Sequence, residues 1–210
     1  MKFRRKSAVE PGEVDDGAEG ADGAADAALR EGPFDAGDLP DDGLERIDLG
    51  SLLVAQSEGR ELRIQVDETT GQVQAVMLAA ADGMLELRAF AAPRGGDLWS
   101  VVREQIAGEF VQQGGTATER EGRFGPELVC SMTVTMPDGE SGTQASRVIG
   151  VNGPRWLLRA TLLGRPAVDP DGAGTWEDAV ASVAVRRGEG AMMSGEPLPV
   201  VVPSTARRLA

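Results

Sequence analysis

The chain has 210 residues, a formal net charge of −13, one cysteine, and neither histidine nor tyrosine. Without histidine there is no imidazole to act as a base or to ligate a metal, and a lone Cys130 excludes an internal disulfide and any paired-cysteine zinc or redox site. The acidity is uneven: residues 7–48 hold fourteen acids against Arg30 and Arg46, whereas residues 49–210 hold twenty acids against fifteen arginines.

A face that binds nucleic acid has to displace counterions with clustered cations, and the nearly balanced second part of the chain offers none, so no nucleic-acid partner is expected. Lys2, Arg4, Arg5 and Lys6 resemble the basic start of an export signal, but Glu10, Glu13, Asp15 and Asp16 follow in place of an apolar stretch. No apolar run reaches the ~18 residues a membrane span needs, so no membrane association is expected. With one free thiol, these features point to the cytoplasm. Lysine occurs only at positions 2 and 6, and every later cation is arginine. Such usage fits codon bias in a GC-rich genome, so arginine abundance alone is not evidence of a site.

Residues 7–46 are rich in Gly, Ala, Asp and Glu and hold almost no large apolar side chains beyond Phe34 and Leu39. A segment of this kind cannot bury enough surface to offset its ordering entropy, so a disordered acidic tail is expected over 1–46. A single α+β domain is expected over 47–203, and a short flexible tail over 204–210.

Ile47 to Val54 reads as a short strand with an irregularity at Gly50. Leu62, Ile64 and Val66 alternate within a strand over 61–66. A turn over 67–71 leads to a strand over 73–78, and Asp82-Gly83 is a hairpin signal, because both residues tolerate positive φ. The next strand carries Leu85, Leu87 and Ala89. Asp97 then caps the longest helix, whose Leu98, Val102, Ile106 and Phe110 form one apolar stripe and which ends at Gly114-Gly115. An edge strand over 116–120 and a loop over 122–126 precede a strand in which Leu128, Cys130, Met132, Val134 and Met136 share a face. Residues 144–151 pair with 155–163 across Asn152-Gly153. In that last strand Trp156, Leu158, Ala160 and Leu162 make one wholly apolar face, and the domain is expected to build on it. A shorter helix over 175–181 turns Trp176 and Val180 inward, a last strand follows over 183–187, and 198–202 is extended and peripheral. The result is a curved, mainly antiparallel sheet with one long and one short helix packed on it. This order of elements is similar to that of PsbP-like sandwiches, an analogy that bears on fold and not on activity.

Five strings carry a more specific resemblance: residues 48–52 (DLGSL), 90–94 (FAAPR), 124–128 (FGPEL), 153–159 (GPRWLLR) and 185–188 (VRRG). In this order they resemble an uncharacterised actinobacterial family, domain of unknown function 3710, over about residues 32–203. The resemblance implies a cytosolic protein of unassigned activity and brings no catalytic residues, cofactor or metal. The stretch 192–196 departs from the family's usual pattern near its end.

Among candidate chemistries, Cys130 sits on a core face and is read as structural. Glu119, Glu121 and Glu127 match no metal-loop spacing and are read as solvated strand ends. Gly95-Gly96 precedes a helix start where Asp97 would repel phosphate. The arginines are the best site candidates, since guanidinium forks suit carboxylate and phosphate. Arg155 and Arg159 share the mixed face of the central strand with Leu157 and Leu163, and Arg147 on the partner strand joins them if the turn register allows. The leading expectation is a non-enzymatic interaction or accessory domain with an unidentified protein partner. The alternative is a small-anion or nucleotide binder using Arg147, Arg155 and Arg159, and an enzyme ranks third. The acidic tail is a candidate cover for the same face, through Phe34 and Leu39.

Overall fold

A computed structural model describes residues 32–135, 139–169 and 172–204. Its centre is an antiparallel sheet of seven strands, built on the apolar strand singled out above. In sheet order these are β4 (Glu61–Val66), β5 (Val73–Ala79), β6 (Gly83–Ala91), β10 (Trp156–Gly164), β9 (Ser141–Asn152), β8 (Gly125–Thr135) and β7 (Thr116–Gly122). Strand β10 is in the middle, paired with β6 on one side and β9 on the other. Trp156, Leu158, Ala160 and Leu162 are all at most 1% exposed, as their unbroken alternation requires.

That face is closed by a second, four-stranded sheet and a helix. The strands are β1 (Phe34–Asp35), β11 (Ala184–Val185), β3 (Leu52–Ala55) and β2 (Arg46–Asp48), in that order. Leu49, Leu52, Val54 and Val185 from this layer join Val76, Leu85, Leu158 and Leu162 in one buried cluster. Trp176 and Val180 of the short helix α3 (Gly174–Ala181) complete it. The opposite face of the large sheet receives the long helix α1 (Leu98–Gln112), which packs on β7, β8 and β9. The described residues thus form an α+β domain with antiparallel pairing everywhere except between β1 and β11. A four-residue helix, α2 (Arg165–Val168), follows β10 and is too short to leave a periodic signal.

The start of α1 shows how local sequence and tertiary contact combine. Asp97 accepts the Ser100 amide at 3.1 Å, as expected of a cap. Asn152, at the end of β9, accepts the amides of Leu98 and Trp99, each at 3.1 Å, and donates to Asp97 at 2.7 Å. The free donors of the first turn are therefore satisfied inside the protein. The expected stripe of Leu98, Val102, Ile106 and Phe110 packs on the sheet, and Trp99 joins it as a buried residue, whereas Val101 beside it is 53% exposed. Trp99 lies flat on β9 because residue 150 is glycine, where a Cβ would fall 2.1 Å from the indole. Its Nε1 donates to the Pro126 carbonyl at 2.7 Å.

The acidic tail needs a boundary correction. Residues 1–31 lie outside the described residues, but 32–46 belong to the folded unit. Phe34 and Ala36 donate their amides to Val183 and Val185 at 2.9 Å. Arg46 donates Nε to the Ser182 carbonyl at 2.8 Å and pairs with Asp42, whose carboxyl it holds down to about 2. Phe34 is thus held in a two-residue strand, not free to cover an arginine face. Backbone pairing supplies the stability that its composition lacks, and two residues carry no periodicity to read. The 198–202 segment is also less peripheral than its prolines imply: Leu198 is 4% exposed and donates its amide to Ala89.

Candidate functional site

The three arginines expected on one face lie in three environments. Register separates the first of them. Arg147 on β9 is opposite Leu162 on β10, so it shares the buried face, whereas Arg159 is opposite Gly150 and shares the other. A slip of one residue would have exchanged these faces.

Arg147 is fully buried between carboxylates. Its Nη2 donates to Glu127 Oε2 at 3.0 Å and, in a shorter bond, to Glu177 of α3. Its Nε lies 3.0 Å from Glu127 Oε1 at ion-pair distance, without hydrogen-bond geometry. Arg120 on β7 donates to the same Glu127 at 2.5 Å. Burial disfavours the Arg147 charge, but the bonds to Glu177 and Glu127 outweigh it and hold the guanidinium above its ordinary value. Glu127 is 1% exposed, which corrects the reading of it as a solvated strand end; Glu119 instead pairs at the surface with Arg103 at 2.8 Å. This arrangement ties α3 to the sheet. It holds Arg147 in the interior, away from the sheet face that carries Arg159.

Arg159 stands directly opposite Arg88 on β6. Like charges at such a position repel unless a carboxylate intervenes. Glu86 does so, its Oε1 lying 3.2 Å from Arg88 Nε and 3.7 Å from Arg159 Nη2. The Arg159 guanidinium also lies over the Phe90 ring, 5.4 Å from its centroid. Burial, and then the neighbouring Arg88, pull Arg159 below its ordinary value. Arg88 Nε is buried with no hydrogen-bond partner. Helix α1 covers β7 to β9 and leaves this part of the face with half-exposed Met77, Met84, Phe90 and Leu163. Beside Arg88 is a notch of about 160 Å³ between β5, β6 and the 197–200 segment, lined by Val73, Phe90, Pro197 and Val200 among others.

Arg155 precedes β10 in the turn from β9 and points elsewhere. It donates Nη2 to the Gly188 carbonyl at 3.0 Å and lines an open cleft of about 580 Å³ with Arg186 and Arg187. Sequence reasoning did not single out those last two. Their only signal was the resemblance string at 185–188, which says nothing of where they meet Arg155.

Cys130 is fully buried, and burial pushes its thiol up to about 11. At pH 8 such a thiol carries almost no thiolate. A thiol-reactive aromatic disulfide should therefore leave the native protein unmodified over hours and label one thiol promptly in denaturant. Rapid labelling of the native protein would place Cys130 at an accessible position. Among the described residues there is no group of three or more Cys, Asp or Glu placed to hold a metal ion, and no helix is long and apolar enough to cross a membrane.

A family model described as "Protein of unknown function (DUF3710)" matches residues 32–208. No curated protein matches the chain. Among solved structures, the chain is similar to the solution structure of cyanobacterial PsbP (CyanoP) from Synechocystis sp. PCC 6803. The identity is 15% and the TM-score 0.38, over 68% of this chain and 92% of that one.

Proposed function

The chain belongs to the DUF3710 family of proteins of unknown function, and we propose that it is a non-enzymatic interaction domain whose protein partner presents an acidic segment with an apolar side chain. The observation that carries this reading is the open half of the large sheet. There Arg88 and Arg159 face each other, share the single carboxylate of Glu86, and border an apolar notch. A second carboxylate arriving from a partner would relieve the repulsion between the guanidinia. Its apolar neighbour would fill the notch and cover Met77 and Phe90. The guanidinia sit among half-buried apolar groups, where charge pairing is stronger than in open water. Complementarity of this kind governs choice of partner and rate of encounter.

The test compares the parent chain with Arg88→Glu/Arg159→Glu as baits in the native lysate, after both are shown to melt alike. Proteins captured by the parent should be lost from the variant and should elute as salt rises, because exposed charges are screened beyond ~8 Å at physiological ionic strength. Capture that is identical with the two baits, or indifferent to salt, rejects this face as the docking surface. The small-anion alternative loses its shared sheet face, since Arg147 is buried and Arg155 points away from Arg159. Arg155 has a separate setting, at the cleft.

A further inference from the structure

The cleft at Arg155 is formed where three turns meet. Strands β1 and β11 run parallel, so the segments leaving them, 36–38 and 186–189, emerge at the same end of the small sheet. The turn at Pro154 and Arg155 forms the third wall. Trp156 fixes this junction, donating Nε1 to Asp35 Oδ2 at 2.9 Å. About 580 Å³ is the size of an ordinary small-ligand site.

The charged groups of the cleft divide into two sets. Asp35 and Arg186 belong to the frame. Asp35 accepts from Trp156 and from the Gly37 amide, and Arg186 grips Asp48 through both carboxylate oxygens and also donates to the Gly50 carbonyl. Arg155 and Arg187 are far less occupied. Each donates once to a backbone carbonyl, at 3.0 and 3.2 Å, and Arg187 Nε is buried with no hydrogen-bond partner. Asp38 and Glu189 line the same cleft with exposed carboxylates and make no side-chain hydrogen bond or ion pair among the described residues.

We infer that this cleft binds a small zwitterion of the α-amino-acid class. Arg155 and Arg187 receive its carboxylate, and Asp38 and Glu189 receive its ammonium group. A simple anion would gain the two arginines but face the two carboxylates, and a simple cation would meet the reverse. Only a ligand carrying both charges satisfies both sets. A guanidinium presents donors in a fork that matches a carboxylate. This site lies apart from the sheet face proposed for protein docking and stands or falls independently of it.

The experiment is an NMR titration of the full chain with the common L-amino acids, using acetate, inorganic phosphate and methylammonium as single-charge controls. At least one amino acid should give saturable amide shifts at residues 35–38, 155 and 186–189. Arg187→Ala and, as a second variant in case the first is poorly folded, Arg155→Ala should each weaken that binding by about tenfold or more. Glu189→Gln should weaken amino-acid binding and, by removing one facing carboxylate, bind acetate no less tightly than the parent. Acetate or phosphate binding as tightly as the best amino acid would overturn the inference. So would shifts confined to other residues, or no saturable shift with any probe.

Discussion

Trp156→Ala is expected to lower the unfolding free energy by about 3–5 kcal/mol, the range for truncating a buried tryptophan. The indole is 1% exposed and belongs to the cluster that joins the two sheets. Gly153 makes room for it, since a Cβ there would sit 2.0 Å from the ring. Truncation removes the apolar transfer energy and leaves a cavity that the central strand, paired on both sides, cannot collapse to fill. It also strands the half-buried Asp35 carboxylate that accepts Nε1–H at 2.9 Å. Against a typical total of about 5–15 kcal/mol this is a large share, so the chemical denaturation midpoint should fall sharply with little change in slope. A midpoint that hardly moves would mean the indole does not hold the sheets together. Asp35→Asn should be much milder, because the amide oxygen still accepts that bond.

Arg147→Met is expected to cost a comparable amount, for a different reason. Breaking a buried ion pair from one side leaves the partner charge desolvated and costs about 3–5 kcal/mol. Glu127 is 1% exposed, and Arg120 touches it only from the rim. Glu177 is 13% exposed at its side chain and can turn toward water, so most of the penalty falls on Glu127. Arg147→Met combined with Glu127→Gln should therefore be more stable than Arg147→Met alone, as measured by equilibrium denaturation. If the second change adds to the loss, the single variant fails through packing and not through a stranded charge. Such coupling between touching residues is what a double-mutant cycle isolates.

The pattern of agreement follows the range of each physical signal. Alternation and helical caps are local, and they were legible: the buried face of β10, the strand meander from β4 to β6, the cap at Asp97 and the inward Trp176 all stand where the residues place them. The stripe of α1 was legible as well, but the burial of Trp99 beside it was not, because Trp99 becomes a core residue only through the groove left by Gly150, a residue distant in sequence. Glu127 looked like a solvated acid for the same reason, since its partners Arg147 and Glu177 arrive from other elements.

By itself, the sequence determined an α+β domain, a central apolar strand, membership in a family of unknown function and the absence of imidazole chemistry. Each of these depends on residue identity or on spacing within one element. Where the arginines go was decided by tertiary structure alone. Whether Arg147 joins Arg159 or the opposite face depends on the β9–β10 register, in which one residue of turn length reverses every side chain. Whether Arg155 has company depends on the parallel pairing of β1 with β11, which brings opposite ends of the domain to one cleft. Neither leaves a mark on local composition, because pairing between distant strands is selected by the energy of the whole packed core.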